Sequence, residues 1–401
     1  MRRFLALPIL LLTATEILAT ESRDLALDAL IVDTHIDVPH RLFRNPETDV
    51  THSTVGGDFD LTRAIEGGLN AAFMSIYVPA SLEEEGKAKE RADALIDIVY
   101  GIVTKAPERL AIATCVADIY AQKKAGMVSF PMGMENGGPI EGEMENVAHF
   151  RKRGIRYITL AHSKSNHISD SSYDTNERWG GLSKFGKELI PVMNDQGIMV
   201  DISHVSDAAA WQVLELSKVP VIASHSSLRH FVPGFERNMT DDMVEALGKN
   251  DGVIQINFGS GFVTAEARQW SIDGRAAYKV YQADNALADD AEELKEYRTN
   301  WDDEHPYPFA GLSNILDHID RVVQLAGIDH VGIGSDYDGV GNTLPTDLKD
   351  VASYPNLVLG LRARAYSDED IRKVLGENLM RVWRDVETYA TSKGYAPQCS
   401  Q

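Results

Sequence analysis

The sequence has few cysteines and no excess of positive charge, and each shortage excludes a class of protein. Only Cys115 and Cys399 are cysteines among its 401 residues. Two thiols so far apart exclude a disulfide-rich scaffold and a thiolate zinc site, so any metal must be held by His, Asp and Glu. The formal net charge of -21 argues against nucleic acid or an anionic membrane as partner, and is typical of a solubilising acidic surface.

Only one long hydrophobic run is present, and it lies at the N-terminus. Arg2 and Arg3, the apolar run and the small residues Ala19 and Thr20 predict a signal peptide over residues 1–19. The run is short for a transmembrane span, and an uncleaved interfacial helix is the alternative. The last residues contain no hydrophobic tail for a lipid anchor. We expect a secreted or periplasmic protein without a stable membrane anchor, in which residues 20–401 form a single domain.

Eight short apolar runs alternate with amphipathic segments along the rest of the chain. Runs of this kind are typical of parallel strands that are buried on both faces. Eight strands alternating with helices predict a (β/α)8 TIM barrel, and an open doubly wound sheet is the second choice, although no Gly-rich phosphate turn follows the first run. The runs cover residues 30–37, 67–78, 127–135, 155–163, 198–204, 220–226, 252–258 and 330–336.

A long acidic segment, residues 264–309, interrupts the last strand and helix units. We interpret it as a helical insertion followed by a loop. Insertions after barrel strands lie over the carboxyl-terminal face, where such a segment could cap a site or merely decorate the rim.

Nearly every predicted strand ends in a side chain that can bind a metal or transfer a proton. Barrel enzymes hold their sites at this end, so a repeated pattern favours a metal site over isolated structural histidines. A carboxylate beside Gly137 and Gly138 is able to bridge two ions, and two ions lower the pKa of a shared water. The residues concerned are His35, Asp37, Glu135, His162, His204, His225 and Asp336.

The motifs around these residues resemble those of the membrane (renal) dipeptidase family, peptidase family M19, within the amidohydrolase superfamily. The resemblance extends from about residue 28 to 383. Most of the superfamily begins with His-x-His and uses a carboxylated lysine, whereas here Asp37 follows His35 and we interpret Lys164 as an ordinary loop residue. The motifs are HIDVP at 35–39, GMENG at 133–137, TLAHS at 159–163, DISHVS at 201–206, SHSS at 224–227, RN at 237–238 and GSDYDG at 334–339.

The resemblance implies a binuclear zinc dipeptidase that acts on dipeptides with a free amine and a free carboxylate, D-residues included at the second position. It assigns His162 to the substrate carbonyl, Arg237 to the substrate carboxylate, and Asp336 to the amine and to proton transfer. Relatives also suggest a homodimer. The implied zinc ligands are His35, Asp37 and Glu135 for one ion, and Glu135, His204 and His225 for the other.

Several alternatives stay open at this point. Asp338 is a second candidate for the acid of the eighth strand, and Arg237 could form a surface pair with Glu236. The site could instead cleave N-acyl amino acids or β-lactams, or the chain could be a non-catalytic binding protein. Eukaryotic relatives carry disulfides, which we expect this chain to lack, and Ile36 stands where many relatives have Asn.

Overall fold

The computed structural model describes residues 14–399, with backbone alone for 14 and 15, so most of the predicted signal peptide lies outside the described residues. The strands are β1 Ile31–Ile36, β2 Leu69–Tyr77, β3 Leu110–Ile112, β4 Val128–Phe130, β5 Met132–Glu135, β6 Ile155–Thr159, β7 Met199–Asp201, β8 Ile222–Ser226, β9 Val253–Ile256 and β10 Val331–Ile333. The helices are α1 Ala14–Asp28, α2 Val38–Arg44, α3 Leu61–Glu66, α4 Ser81–Glu84, α5 Ala88–Lys105, α6 Val116–Lys124, α7 Glu145–Lys152, α8 Lys184–Gln196, α9 Asp207–Leu216, α10 Asp241–Lys249, α11 Ser260–Val263, α12 Ala265–Asp284, α13 Glu292–Glu304, α14 Leu312–Ala326, α15 Tyr354–Ala363, α16 Asp368–Arg372 and α17 Asn378–Ser392.

The strands close into a parallel barrel, because β1 pairs with both β2 and β10. β4 and β5 both lie beside β2 and form one barrel strand that is interrupted at Pro131, which has no N–H for the ladder. Counted in this way, all eight predicted runs supply barrel strands, and the (β/α)8 prediction is confirmed. The short strand β3, which pairs with β4 outside the closed ring, was not predicted.

The barrel interior explains why the strand sequences are apolar without alternation. Every residue of β1, β6 and β8 is buried, since one face packs on the helices and the other fills the barrel. The Tyr157 ring occupies part of this interior opposite Gly133. A Cβ at Gly133 would lie 1.9 Å from that ring, so glycine is required there. The chain thus places a phenol hydroxyl directly beneath the carboxyl-terminal end of the barrel.

The expectation that the chain lacks disulfides is wrong. Cys115, which precedes α6, is bonded to Cys399 in the C-terminal segment, and their Cα atoms are 5.1 Å apart. The two cysteines are 284 positions apart in sequence, so their spacing gives no sign that the fold brings them together. The bond ties the segment after α17 to the barrel.

The predicted insertion is confirmed as helical. α12 and α13 pack against each other as a hairpin, which we call the α12–α13 hairpin, and α12 also contacts α11. Only Ala267 and Leu294 are buried within these two helices. The hairpin therefore has little core of its own. Among residues 14–399, no helix is long and apolar enough to cross a bilayer.

Candidate active site

The carboxyl-terminal ends of the barrel strands bring the predicted site residues together. Glu135 is the last residue of β5, and His35 and His225 lie within β1 and β8. His204 and Asp336 follow β7 and β10 by three residues, and both have left-handed backbone, with φ of 70° and 65°. Non-glycine residues in this conformation are uncommon and cluster at functional sites, where the turned backbone directs the side chain.

Glu135 lies at the centre of the site, and its two oxygens face different groups. Oε2 is 3.4 Å from His35 Nε2, which is itself 3.4 Å from Asp37 Oδ2. Oε1 is 3.2 Å from His204 Nε2 and 3.3 Å from His225 Nε2. Burial opposes ionisation of Glu135, but His35 and the neighbouring imidazoles hold its pKa well below the usual range. This division matches the two ligand sets that the sequence suggests.

The donor atoms of these side chains fit divalent metal ions. The Nε2 atoms of His204 and His225 are only 2.8 Å apart. Burial lowers the pKa of both histidines well below the ordinary value, which keeps their lone pairs free. His35 Nε2 is buried without a hydrogen-bond partner among residues 14–399. Imidazole nitrogens and carboxylate oxygens that converge in this way are the ligands preferred by zinc and similar ions.

Two hydroxyl groups set the orientation of two of the histidines. The Tyr157 hydroxyl donates to the Thr34 carbonyl at 3.0 Å, so it accepts from His35 Nδ1 at 2.9 Å. The Ser224 hydroxyl donates to a carboxylate oxygen of Asp201 at 2.6 Å, so it accepts from His225 Nδ1 at 2.8 Å. His225 then has its proton on Nδ1 and a lone pair on Nε2, directed at the site. At His35 burial opposes protonation, but Tyr157, Glu135 and Asp37 hold its pKa well above the ordinary value, so Nε2 also carries a proton that a bound cation would displace.

Asp336 lies close to Asp37 because the residue between them is a glycine. A Cβ on Gly339 would be 2.2 Å from Asp336 Oδ1 and 2.3 Å from Asp37 Oδ2. Asn257 Nδ2 donates to Asp336 Oδ2 at 2.7 Å. Burial raises the pKa of Asp336 to about 8; the charge of His35 opposes this rise and nearby carboxylates reinforce it.

The alternative acid, Asp338, has a different environment. Its Oδ1 accepts from Arg41 Nη1 at 2.7 Å and from the Asp58 backbone N–H at 2.6 Å. These contacts connect the loop after β10 to α2 and to the segment that follows α2. Asp338 therefore stabilises a loop, and Asp336 is the carboxylate that faces the histidines.

His162 borders the open side of the site. Its Nε2 is 3.5 Å from Glu135 Oε1, and its side chain is 19% exposed, whereas those of His35 and His225 are buried. The ring lies 4.2 Å from that of His204 and contacts the Tyr77 ring edge at 4.9 Å. A ligand that enters the site can thus reach the His162 imidazole. Lys164 is exposed in the same loop, as expected of an ordinary loop residue.

Arg237 is buried beside the site, and the alternative of a surface pair with Glu236 is wrong. Its Nη1 donates to Ser226 Oγ at 2.7 Å and its Nη2 to the His225 carbonyl at 2.5 Å. Glu236 instead accepts from the Asp207 backbone N–H. Arg237 Nε is buried and has no hydrogen-bond partner among residues 14–399, so the guanidinium keeps donors for a carboxylate.

Four residues of the site were not singled out from the sequence. Asn257 stands at the end of the seventh apolar run, and its position was a usable signal, because polar residues end the other runs too. Tyr157, Ser224 and Gly339 act through contacts that sequence spacing does not reveal.

Residues 19–395 match the family model described as Membrane dipeptidase (Peptidase family M19). The chain is 32% identical over 360 residues to Dipeptidase aclJ of Aspergillus oryzae, across 88% of this chain and 75% of the relative. It is similar to the structure of the probable dipeptidase PvdM from Pseudomonas aeruginosa, with a TM-score of 0.80 and 27% identity over 93% and 99% of the two chains. A metallo peptidase from Rhodobacter sphaeroides, liganded with a phosphinate mimic of L-Ala-D-Ala, gives a TM-score of 0.73 and 25% identity over 89% and 99%.

Proposed function

The chain belongs to the membrane dipeptidase family, peptidase family M19, and is therefore a metallo-dipeptidase; we propose that it cleaves dipeptides whose amine and carboxylate are both free, with two zinc ions. The observation that carries this proposal is the division of the Glu135 oxygens between two groups of ligand atoms. A carboxylate placed in this way is suited to bridge two cations.

In this proposal Glu135 would contribute an oxygen to each ion. His35 and Asp37 would complete one ligand set, and His204 and His225 would complete the other. When bound, the ions would polarise the substrate carbonyl and lower the pKa of the attacking water. The hydroxyl groups of Tyr157 and Ser224 support binding, because they hold two imidazoles in the tautomer that a metal requires.

The other residues bind the substrate and transfer protons. Arg237 binds the carboxylate of the substrate, since a guanidinium pairs with a carboxylate through parallel hydrogen bonds. Asp336, held by Asn257, accepts a hydrogen bond from the substrate ammonium. It takes the proton that the attacking water releases and passes it to the leaving amine. His162 donates to the oxygen of the scissile carbonyl as negative charge develops there.

Recognition of both ends of the substrate would exclude longer peptides, because each added residue displaces a terminal charge from its partner. The phosphinate mimic of L-Ala-D-Ala in the Rhodobacter sphaeroides metallo peptidase supports a D-residue at the second position. N-acyl amino acids, and β-lactams whose amine is acylated, lack the free amine that Asp336 would bind, so compounds with a blocked amine discriminate between the two activities.

The test is a comparison of four substrates with zinc-loaded protein. L-Ala-L-Ala and L-Ala-D-Ala should be cleaved, whereas N-acetyl-L-Ala-L-Ala and L-Ala-L-Ala amide should be cleaved poorly or not at all. Arg237→Lys should raise the KM for the free dipeptides, while Arg384→Lys, on an exposed helix surface, should leave it unchanged. Equal cleavage of the N-acetyl compound would instead favour a general amidohydrolase.

We also propose that the protein works outside the cytoplasm and forms a homodimer. The Cys115–Cys399 bond supports the first point, since disulfides persist in oxidising compartments. Cell fractionation and sedimentation of the purified protein test the two points separately. Recovery only from the cytosol, or only as a monomer at micromolar concentration, would contradict them.

A further inference from the structure

A second cavity lies in the α12–α13 hairpin, apart from the residues of the active site. Its volume is about 470 Å³, and it opens between the two helices and the loop after β10. Ligand sites for small molecules have volumes of this order. The cavity is lined by side chains of two kinds, aromatic rings and cations, and their distribution indicates the ligand.

The aromatic side chains form the walls of the cavity. The Trp270 ring contacts the Trp301 ring at 5.0 Å and the Tyr307 ring at 4.8 Å, both edge to face. A Cβ on Gly274 would lie 2.9 Å from the Trp301 ring, so this glycine allows the indole to approach α12. These rings are half-buried. The His305 ring stacks on one face of Trp301 at 4.4 Å, so a flat apolar group would stack on the remaining ring surfaces of Trp270, Trp301 and Tyr307.

Charges in the hairpin are separated by sign. Residues 264–309 contain 11 acidic and five basic side chains, yet three of the basic residues line the cavity against a single acid, Asp302. The three cations are Arg275, Lys279 and Arg298. In a protein with a net charge of -21, a local excess of positive charge at a cavity is not explained by composition.

The three cations are also unused by the fold. Within residues 14–399, none of Arg275, Lys279 and Arg298 has a carboxylate partner within ion-pair distance. Lys295 on the same hairpin, by contrast, pairs with Glu292 at 2.9 Å, and the Arg268 guanidinium stacks on the Phe235 ring at 3.8 Å. The cations at the cavity are therefore free to pair with an anionic ligand.

The cavity shares a loop with the active site. Thr343, in its lining, accepts hydrogen bonds through its carbonyl from both the backbone and the side chain of Ser260. The loop that holds Thr343 follows β10 and also holds Asp336, and Ser260 follows the segment that begins at Asn257. A ligand in the cavity would therefore contact the loop that carries one of the proposed catalytic groups.

We propose that the cavity of the α12–α13 hairpin binds a small aromatic anion. The ring of the ligand stacks among Trp270, Trp301 and Tyr307, and its carboxylate or similar group pairs with the three cations. The anion is either a separate molecule or a part of a larger substrate that extends from the active site. Both sources share this chemistry.

Isothermal titration calorimetry of the full chain with 2-naphthoate tests the proposal, with 2-naphthamide as the uncharged probe of the same shape. Naphthoate should bind saturably at one site per chain, and naphthamide about tenfold more weakly, because it loses three exposed ion pairs that contribute roughly 0.5 kcal/mol each. The double variant Arg275→Gln/Arg298→Gln should bind naphthoate about fivefold more weakly than the unmodified chain, because two of the three ion pairs are lost. Both residues are exposed, so the variant should fold normally.

The control variant Arg384→Gln/Lys187→Gln removes the same charge from distant exposed positions and should bind naphthoate as the unmodified chain does. The proposal is overturned if naphthoate shows no saturable binding at millimolar concentration, if both probes bind equally, or if the two double variants bind equally. The effect of naphthoate on L-Ala-L-Ala hydrolysis separates the two sources. Competitive inhibition that the double variant Arg275→Gln/Arg298→Gln weakens assigns the anion to an extended substrate, and any other response that this variant weakens assigns it to a separate ligand. The binding measurement itself does not depend on the dipeptidase proposal.

Discussion

The carboxyl-terminal end of the barrel and the α12–α13 hairpin use charged and aromatic side chains in opposite ways. At the barrel end, ionisable groups are buried, and each faces another within a few ångströms, as Glu135 faces four histidines. In the hairpin, the charged groups are exposed, and the cations at its cavity have no ion pair within the described part of the chain. The first arrangement holds a fixed geometry for chemistry, and the second keeps charges available for a ligand.

The two regions also differ in the packing that stabilises them. The barrel strands are buried on both faces, so their positions are fixed by dense packing. The hairpin has a single buried leucine, Leu294, and otherwise half-exposed rings. We therefore expect substitutions at the barrel end to affect catalysis sharply, and substitutions in the hairpin to affect local order.

The largest effect is expected from Glu135→Gln. An amide offers one acceptor oxygen where the carboxylate offers two, so one of the two ligand groups would face an N–H donor. Hydrolysis of L-Ala-L-Ala should fall at least about a thousandfold, and bound zinc should fall with it. Glu143→Gln, at an exposed position nearby, should retain full activity. Unchanged turnover in Glu135→Gln would contradict the proposal that Glu135 bridges two ions.

A smaller loss is expected from Gly339→Ala. The added methyl group would overlap Asp336 Oδ1 and Asp37 Oδ2, and the two carboxylates would move apart. Displacement of catalytic groups by about 1 Å lowers activity about a hundredfold, and we expect a loss of this size in kcat/KM. Gly101→Ala, where a Cβ meets open space within α5, serves as the control and should be active.

The pH dependence of stability tests the contact zone between the two regions. His318 on α14 accepts from the Leu228 backbone N–H and donates to the Val263 carbonyl, and burial lowers its pKa to about 4. The unfolded chain, with an ordinary histidine pKa near 6.5, binds the proton first as pH falls. The stability that neutral His318 contributes to the folded chain is therefore complete above about pH 6.5, and it is lost as the pH falls to about 4.

That loss amounts to about 3 kcal/mol. Urea unfolding of the unmodified chain and of His318→Gln at several pH values isolates it, because the variant lacks this titration. His52 is exposed, so His52→Gln is the matched control. Its free energy of unfolding should change with pH as that of the unmodified chain does. Parallel pH profiles for the unmodified chain and His318→Gln would contradict the assignment.

The smallest effect is expected in the hairpin. Leu294→Ala should lower the free energy of local opening of α12 and α13 by about 2 kcal/mol, since a buried leucine loses its contacts. Hydrogen exchange should be faster in these helices alone, with the Tm of the barrel unchanged. Val280→Ala, at an exposed position of α12, should leave exchange as it is. Faster exchange in the barrel strands would show that the hairpin is part of the same cooperative unit.

Sequence reasoning succeeded where burial on both faces gives a strong pattern. The eight apolar runs became the barrel strands, and polar residues at their ends, such as His35, Glu135 and His225, meet in one place because parallel strands end on one side. Pro131 interrupts its strand without removing it, since the chain on both sides still lies beside β2.

Features that depend on distant contacts escaped prediction. The pairing of Cys115 with Cys399, the need for glycine at position 339 and the hydroxyl of Tyr157 beneath His35 each join segments that are far apart in sequence. The aromatic cavity was not predicted from the sequence either, because half-exposed helices have only a weak hydrophobic pattern.

The proposed dipeptidase activity depends most on a site that binds two ions through Glu135. Zinc content by mass spectrometry and L-Ala-L-Ala hydrolysis, measured on the same samples during stepwise removal of metal by a chelator, test this directly. We predict two zinc ions per chain in the active protein, with hydrolysis lost as the ions are removed and regained on zinc addition. Full hydrolysis with no bound metal, or with a maximum of one ion per chain, would contradict the account.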